Sequence, residues 1–248
     1  ASAILTMRVG LSFWSGALLA SVITGLFGLL IGLAILRLSG TYFSIGTLIL
    51  GEILYSVYYN WSPVTGGFMG LNVPGVVFNI PGLFHFEFEL IHWYYFVYFL
   101  VFLIVGGLKL LVESHFGKEL IAIRENESLS ESLGVNVNLR KSQCLALVCF
   151  LAGLGGALFA HFMRHVDPAS FAIAASTEFL TIVIIGGLAS LIGPFFGAYV
   201  LITLSLYLEV LGKWRMVVYG LIIVTIMIYA RGGIAGILEK LFKTEFRK

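Results

Sequence analysis

Charged residues are scarce in this sequence. Asp, Glu, Lys and Arg make up only 11% of its 248 residues, whereas a soluble domain carries about 25%. The formal net charge is +2 and the basic residues are scattered, so the chain lacks the basic patch of a nucleic-acid-binding protein. Instead, 59% of the residues are hydrophobic and the mean hydropathy is +1.01. This composition predicts an all-α integral membrane protein built as a polytopic helical bundle.

Motifs that carry catalysis are also absent. The sequence contains no G-x-x-x-x-G-K-[ST], no H-E-x-x-H and no C-x-x-C, so it has no P-loop and no zinc-protease or thioredoxin-like motif. We therefore predict a chain that is not an enzyme. Cys144 and Cys149 are the only cysteines, and we interpret them as packing residues. His161 and His165 have i, i+4 spacing near Asp167, but they lack an assured third ligand and are interpreted as structural, with no metal site.

Long apolar runs predict about seven membrane crossings, because about 20 helical residues span the hydrocarbon layer. The expected spans are 11–36, 42–59, 93–112, 142–163, 177–192, 195–211 and 214–230. A helix break lies between the fifth and sixth, at Gly186, Gly187, Gly193 and Pro194, since proline cannot donate an amide hydrogen bond. We expect a tight hairpin of two short helices here. A single kinked helix with a re-entrant arm is the alternative.

The distribution of Lys and Arg predicts the orientation. If the loop at 113–141 is cytoplasmic, eleven of the fifteen basic residues lie inside: Arg37, Lys109, Lys118, Arg124, Arg140, Lys141, Arg231, Lys240, Lys243, Arg247 and Lys248. The other four, Arg8, Arg164, Lys213 and Arg215, lie outside. This orientation places Ala1 outside. An odd number of crossings before Ala1 would then put the amino terminus of the whole protein in the cytoplasm. We treat residues 1–248 as one transmembrane domain and expect an amino-terminal portion to be missing.

The loop at 60–92, here the outer loop, carries no Lys or Arg and faces outward in this orientation. It mixes turn-forming glycines and prolines with aromatic and aliphatic residues. We expect it to fold back against the bundle as a lid or a docking surface, with Thr65, Gly66 and Gly67 at the gate. The alternative is a plain connector whose aromatics form an interfacial belt.

The loop at 113–141, here the inner segment, contains short helices. Leu120, Ile121 and Ile123 predict an amphipathic turn, and a second helix begins at Asn126 or Ser128. Ser128 with Glu131 is typical of a capping box, and Gly134 suits a left-handed stop. Leu129 and Leu133 form an i, i+4 apolar stripe, which a cytoplasmic helix can present to another protein. The alternative is a solvated helix that rests on the membrane.

Polar residues inside the spans are candidates for a translocation path. Glu52 lies near the middle of the second span, and an intramembrane carboxylate usually faces a cavity or another helix. Ser44 and Thr47 are expected to line the same path. A structural hydrogen bond to a neighbouring helix and proton coupling are the alternatives for Glu52. Gly28, Gly32 and the glycines at 153–156 are interpreted as helix-packing residues.

Five motifs, in order along the chain, resemble one protein family. They are RLSGTYFSIGTLILGE at 37–52, NW at 60–61, TGGFMGL at 65–71, AIRENE at 122–127 with ESLG at 131–134, and GGLASLIGP at 186–194. Together the chain resembles a membrane permease subunit of the branched-chain amino acid ABC importers. The resemblance implies that the inner segment holds a coupling helix that contacts an ATPase. The implied contact residues are Arg124, Glu125, Asn126, Glu127, Leu129, Glu131, Leu133 and Gly134.

The resemblance also implies a function: an ATP-driven importer of branched-chain or related hydrophobic amino acids. Its implied partners are a homologous second permease, two cytoplasmic ATPase subunits and an extracytoplasmic binding protein. ATP and Mg²⁺ would bind the ATPase subunits, and no cofactor is expected on this chain. The implied location is a bacterial or archaeal cytoplasmic membrane. The alternatives are a stand-alone secondary transporter or channel, an ABC permease for urea or short amides, and a scaffolding protein.

Overall fold

The computed structural model describes residues 1–35, 40–80, 84–87, 89–187, 190–214, 217–218, 220–221 and 223–225. The chain divides into two compact units, Ala1–Ile173 and Ala174–Lys248. The seventh predicted crossing, at 214–230, lies mostly outside the described residues. Seven of the basic residues that were used for the orientation also lie outside the described residues: Arg37, Arg215, Arg231, Lys240, Lys243, Arg247 and Lys248.

Helices dominate the first unit. They are α1 (Ser2–Arg8), α2 (Phe13–Ile35), α3 (Thr41–Asn60), α4 (Ser62–Thr65), α5 (Leu90–Glu113), α6 (His115–Glu125), α7 (Glu127–Ser132) and α8 (Val137–Met163). Short strands are β1 (Leu71–Asn72), β2 (Val77–Ile80), β3 (Phe84–Glu87) and β4 (His165–Val166), and 3-10 turns cover Gly67–Met69 and Pro168–Phe171. The strands form two antiparallel ribbons, β1 with β4 and β2 with β3.

Five helical stretches of the described chain are long and apolar enough to cross a membrane. They are Phe13–Ile35, Leu90–Glu113, Val137–Met163, Pro168–Gly186 and Gly193–Val210. They correspond to five of the predicted spans, which supports the helical membrane fold. The second predicted span also forms a helix, α3, but its four tyrosines, Glu52 and Asn60 make it less apolar, and it is not among the five. Its crossing, and the total of seven, stay predictions.

The pair α2 and α8 forms the most extensive contact in the first unit. Glycines on α2 allow this contact, since a Cβ added at Gly32 would lie 3.2 Å from the Cα of Ser142. A Cβ at Gly153 of α8 would lie 2.9 Å from the hydroxyl of Thr24. Gly28, Gly32 and Gly153 are therefore packing residues, as predicted. The prediction is wrong for Gly155 and Gly156, where an added Cβ would meet nothing within 4 Å. Small residues let membrane helices approach closely, and here they set the distance between α2 and α8.

Alanine at Gly28 is expected to destabilise this helix pair by about 1–3 kcal/mol. The added Cβ would lie 2.6 Å from both the Cβ and the Sγ of Cys149, so one helix must shift. Thermal unfolding in detergent measures the effect, with Gly155→Ala as control because a Cβ there meets nothing within 4 Å. Adding Cys149→Gly removes both obstructing atoms and should recover part of the loss. Equal melting temperatures for Gly28→Ala and Gly155→Ala would contradict the packing role.

The outer loop folds back onto the first unit. Val73 and Val76 are only 4% and 5% exposed, and Val76 packs in a cluster with Phe13, Ala17, Trp93 and Ala157. The amide of Val73 donates to the Arg164 carbonyl at 2.8 Å, next to the β1–β4 ribbon. These contacts place the loop on the same end of the bundle as the carboxyl end of α8, as the sequence predicted.

The second unit contains the predicted hairpin. It consists of α9 (Ile173–Gly186), which starts at the unit boundary, α10 (Gly193–Tyr207) and a 3-10 segment (Leu208–Trp214). A Cβ at Gly186 would lie 2.2 Å from the Gly193 carbonyl oxygen, and one at Gly197 would lie 2.4 Å from the Ile182 oxygen. Gly187 has a φ of 117°, which favours glycine. The helices are therefore separate and closely packed, and the kinked-helix alternative is excluded.

Candidate functional site

The inner segment is built from two capped helices. The Ser114 hydroxyl accepts from the amide of Gly117 at the start of α6, and the Asn126 carboxamide accepts from the amide of Leu129 at 3.0 Å at the start of α7. Asn126 therefore caps α7, and the predicted Ser128 capping box is wrong. Asn126 has an extended backbone, as a cap requires, whereas Ser128 already lies inside the helix.

Gly134 ends α7 as predicted. Its φ is 87°, its amide donates to the Glu131 carbonyl at 2.9 Å, and the next amide, of Val135, donates to the Ser130 carbonyl at 3.1 Å. This pair of bonds is a Schellman motif, which satisfies carbonyls that the helix end leaves open. The turn after α7 is thus fixed by backbone hydrogen bonds.

The predicted apolar stripe of α7 faces away from the rest of the chain. Leu129 is 58% exposed and Leu133 is 77% exposed, whereas Ile123 of α6 is only 6% exposed. Beside the stripe, Arg124 and Glu125 form an ion pair of 2.7 Å. Two large leucines on a fixed helix, bordered by charges, are a surface that a protein partner can cover.

Two ion pairs hold the inner segment against the first turns of α8. Glu119 of α6 contacts Arg140 with 2.5 Å between Oε2 and Nε and 3.3 Å between Oε1 and Nη2. Glu127 of α7 contacts Lys141 at 2.7 Å. The Arg140 guanidinium also donates to Gln143 at 3.1 Å and lies over the ring of Phe116. Both short helices are therefore tied to the same transmembrane helix.

The polar residues of α3 that were predicted to line a path are exposed or half-buried in the described chain. Ser44 and Glu52 are exposed, Thr47 is half-buried, and no residue of α3 is buried. The hydroxyl of Thr47 donates to the Ser44 carbonyl at 2.9 Å, and a Cβ added at Gly51 meets nothing within 4 Å. A carboxylate is costly in hydrocarbon, so the predicted crossing of α3 requires a polar or protein neighbour for Glu52.

The three gate residues form one tight turn after α3. The hydroxyl of Thr65 lies 2.6 Å from the Tyr58 carbonyl, to which it donates, and accepts from the amide of Gly67. Gly66 and Gly67 both have positive φ, 74° and 58°. Thr65, Gly66 and Gly67, which are adjacent in sequence, thus form a fixed turn directly after α3.

A cavity of about 330 Å³ lies beside this turn, within the first unit. We name it the outer cavity. Its wall consists mainly of small and aliphatic residues from positions 1–4, α2, α8 and the β1–β4 ribbon, and it also contains Tyr58, Phe171 and the polar residues Ser2, Thr24, Thr65 and Asp167. Hydrogen bonds from the side chain and amide of Ser170 hold the pKa of Asp167 below its usual range. Its carboxylate is therefore ionised at neutral pH.

The two histidines have separate partners. Nδ1 of His161 lies 2.9 Å from the Ala157 carbonyl, and Nδ1 of His165 lies 2.8 Å from the Asn72 carboxamide oxygen. His161 is only 2% exposed and its ring contacts Phe13. In the part of the chain that the structure describes, no group of three His, Cys, Asp or Glu could hold a metal ion.

Comparison with known families is decisive for the class of protein. The family described as "Branched-chain amino acid transport system / permease component" matches residues 1–227. The chain belongs to this family. The resemblance that the five motifs carry is thereby confirmed.

Curated relatives of the permease carry the same description. "High-affinity branched-chain amino acid transport system permease protein LivM" of Salmonella typhimurium and of Escherichia coli are each 30% identical to it, over 94% of this chain and 59% of the relative. "Probable branched-chain amino acid transport permease protein LivH" of Methanocaldococcus jannaschii is 31% identical over 58% of this chain and 48% of the relative. The chain spans 59% of the length of the two LivM proteins. No solved structure matches it significantly.

Some site residues of the permease were missed by sequence reasoning. Arg140 and Lys141 entered only the count of basic residues, although their ion pairs position the inner segment. The sequence signal that was available is a basic pair in the first turns of a helix capped by Asn136, with Glu119 and Glu127 on the two preceding helices. The outer cavity carried no such signal, because its wall comes from elements far apart in sequence.

Proposed function

We propose that this chain is the transmembrane permease subunit of an ATP-driven importer of branched-chain or related hydrophobic amino acids. It works in a bacterial or archaeal cytoplasmic membrane with a homologous second permease, two cytoplasmic ATPase subunits and an extracytoplasmic binding protein. ATP and Mg²⁺ bind the ATPase subunits. Family membership supports the class, and the relatives named LivM and LivH support branched-chain amino acids and a second permease.

The geometry of α7 is the observation that carries this proposal. Its leucine stripe is exposed, its two ends are capped, and its neighbour α6 is ion-paired to α8. A solvated helix resting on the membrane would not need this anchoring. We assign Arg124, Glu125, Asn126, Glu127, Glu131 and Gly134 to the same ATPase contact, with Asn126 and Gly134 fixing the helix ends.

Helix α8 is the element that carries motion from the ATPase contact across the bundle. It is one helix of 27 residues that ends at Met163, and the ion pairs at Arg140 and Lys141 lie near its start at Val137. Directly beyond its carboxyl end, β4 pairs with β1 of the outer loop. A displacement of the inner segment therefore reaches the outer loop through one continuous helix, which suits a switch between outward-open and inward-open states. On this account the loop is a lid with its gate at Thr65, Gly66 and Gly67.

We assign Ser44, Thr47 and Glu52 to a translocation path between the two permeases. The support is that Ser44 and Glu52 are exposed and Thr47 is half-buried in the first unit, and that a carboxylate on a membrane-spanning α3 requires a polar neighbour. A stand-alone secondary transporter or channel is the second candidate. It would use Glu52 for coupling without a partner, and it predicts a chain that purifies and transports alone.

Copurification with an ATPase tests the proposal. The chain is purified in mild detergent from its native cells, and P-loop ATPase subunits are sought by mass spectrometry. Wild type is expected to bring them down. In Leu133→Glu, the amount of ATPase that copurifies should fall at least about tenfold, because a charge replaces an apolar contact that is buried in the complex. Ser128→Glu is the matched control, since it adds the same charge to α7 but off the leucine stripe.

The outcomes separate the candidates. Loss of the ATPase in Leu133→Glu together with retention in Ser128→Glu supports α7 as the contact. If wild type copurifies with the ATPase and both variants do so equally, the importer stands but α7 is not its contact. If wild type purifies alone and still transports leucine, the importer proposal fails and the stand-alone transporter replaces it.

A further inference from the structure

The helices of the hairpin in the second unit are short for membrane crossings. Helix α9 has 14 residues and α10 has 15. At a rise of about 1.5 Å per residue they are about 21 and 22 Å long, whereas the hydrocarbon layer is about 30 Å thick. The stretches Pro168–Gly186 and Gly193–Val210 are long enough only because they include 3-10 turns at the ends remote from the hairpin turn. Ala172, whose backbone is extended, interrupts the first stretch. The two α-helices alone therefore do not span the layer.

The turn between these helices, residues 187–192, has the composition of a membrane interior. No Asp, Glu, Lys or Arg occurs at 179–208, so the turn lies in the middle of a long uncharged segment. Its large side chains Leu191 and Ile192 are 43% and 56% exposed. Cytoplasmic loops are enriched in Lys and Arg, which this turn lacks. The turn therefore fits a place within the membrane better than one in the cytoplasm.

The nearest charged residues, Glu178 and Glu209, are both exposed and lie on the arms of the hairpin. A Cβ at Gly186 would meet Gly193, and one at Gly197 would meet the Ile182 oxygen. The arms therefore run antiparallel, and both carboxylates lie on the same side of the turn. The turn is about 12 Å along α9 from Glu178 and about 24 Å along the other arm from Glu209. Whichever carboxylate lies at the membrane surface, the turn lies inside the hydrocarbon layer.

We propose that α9 and α10 form a re-entrant hairpin, which enters the membrane from the outer side and leaves on that side, and that its turn lines the water-filled passage of the importer. Non-helical backbone is tolerated at this depth only where protein buries it or water reaches it. The Ser190 hydroxyl accepts from the amide of Gly193 at 3.0 Å and can donate its own proton to water. This inference rests on the proposed function, which supplies the passage. The fifth and sixth predicted crossings are then the arms of this hairpin and do not span the membrane.

Cysteine accessibility tests this placement. Ser190→Cys is made in the full chain after Cys144→Ala and Cys149→Ala have removed both native cysteines, and the chain is expressed with its natural partners. The controls are Ser132→Cys at an exposed position of α7 and Ala169→Cys at an exposed position of the 3-10 turn before α9. Right-side-out and inside-out vesicles are treated with two thiol reagents that do not cross the membrane. One is a small cationic methanethiosulfonate and the other is a large polyethylene-glycol maleimide.

The size of the reagent distinguishes a passage from an open loop. Ser190→Cys should react with the small reagent from at least one side and should lose all reaction with the large one from both sides, because a passage for amino acids excludes a polymer. Ser132→Cys should react with both reagents in inside-out vesicles, and Ala169→Cys with both in right-side-out vesicles.

Two results overturn the proposal. If Ser190→Cys reacts with the large reagent as fast as Ser132→Cys in inside-out vesicles, the turn lies in the cytoplasm. If it reacts with neither reagent from either side, no water reaches the turn. Where Ser190→Cys does not elute as a single species on gel filtration, Leu191→Cys at the next position of the turn takes its place. Copurification with the ATPase tests the importer separately, so a chain that binds its ATPase but exposes its turn to the large reagent refutes only the hairpin proposal.

Discussion

Arg140→Glu is expected to reduce substrate uptake about tenfold or more. Arg140 holds Glu119 through two contacts, 2.5 Å and 3.3 Å, and these side chains are only 34% and 28% exposed. A partly buried, charge-assisted pair with this geometry is worth about 1–3 kcal/mol. The substitution replaces attraction by repulsion, so α6 separates from α8 and motion of the inner segment no longer reaches the bundle. Uptake of radiolabelled leucine by cells that carry the natural partners measures the loss.

Two variants make this result specific. The charge swap Glu119→Arg with Arg140→Glu restores an opposite-charge pair and should recover a substantial part of uptake. Lys118→Glu, on the neighbouring exposed position of α6, changes the net charge equally and forms no ion pair in the described structure, so uptake should stay near wild type. Normal uptake by Arg140→Glu, or a swap as inactive as the single variant, would contradict the transmission role. ATP hydrolysis that persists in the single variant would show uncoupling rather than loss of assembly.

Local patterns carried most of the fold prediction. Apolar length located α2, α5 and α8 to within a few residues, except that α8 begins at Val137, five residues before the predicted start, and so includes the polar or charged residues Asn138, Arg140 and Lys141. The position of Gly134 correctly predicted the end of α7, because the residue after the helix has a left-handed backbone, which glycine adopts readily. The cap of α7 was misplaced by two residues, since Asn126 and Ser128 are both good caps and only the backbone conformation distinguishes them.

Long-range contacts were beyond sequence patterns. The ribbon of β1 and β4 pairs Asn72 with His165, and two-residue strands carry no period that a pattern can detect. The ion pair of Glu119 and Arg140 joins two helices, and counting basic residues for orientation records the sign of Arg140 but not its partner. The sequence predicted that the face around Glu52 is polar. It could not predict which neighbour covers this face, because the sequence of one chain does not contain that neighbour.

The hairpin of the second unit gives the largest expected effect on stability. Gly186→Ala would bring a Cβ to 2.2 Å from the carbonyl oxygen of Gly193 and 2.4 Å from its carbonyl carbon. Both atoms belong to the backbone, so no side chain can turn away and the two helix ends must separate. We expect a loss of about 3 kcal/mol, the upper end for overpacking. Thermal unfolding in detergent measures it. Gly107→Ala in α5 is the control, because that Cβ meets nothing within 4 Å.

The double variant Gly186→Ala with Gly193→Ala tests whether one contact accounts for the loss. A Cβ at Gly193 would lie 2.6 Å from the Gly186 carbonyl oxygen, so each methyl group obstructs the same approach from its own side. Once the helix ends have separated for the first methyl group, the second finds part of its space already open. The combined loss should therefore be smaller than the sum of the single losses, since neighbouring sites couple. Fully additive losses would mean that the two glycines act at independent places, and the close hairpin would not explain them.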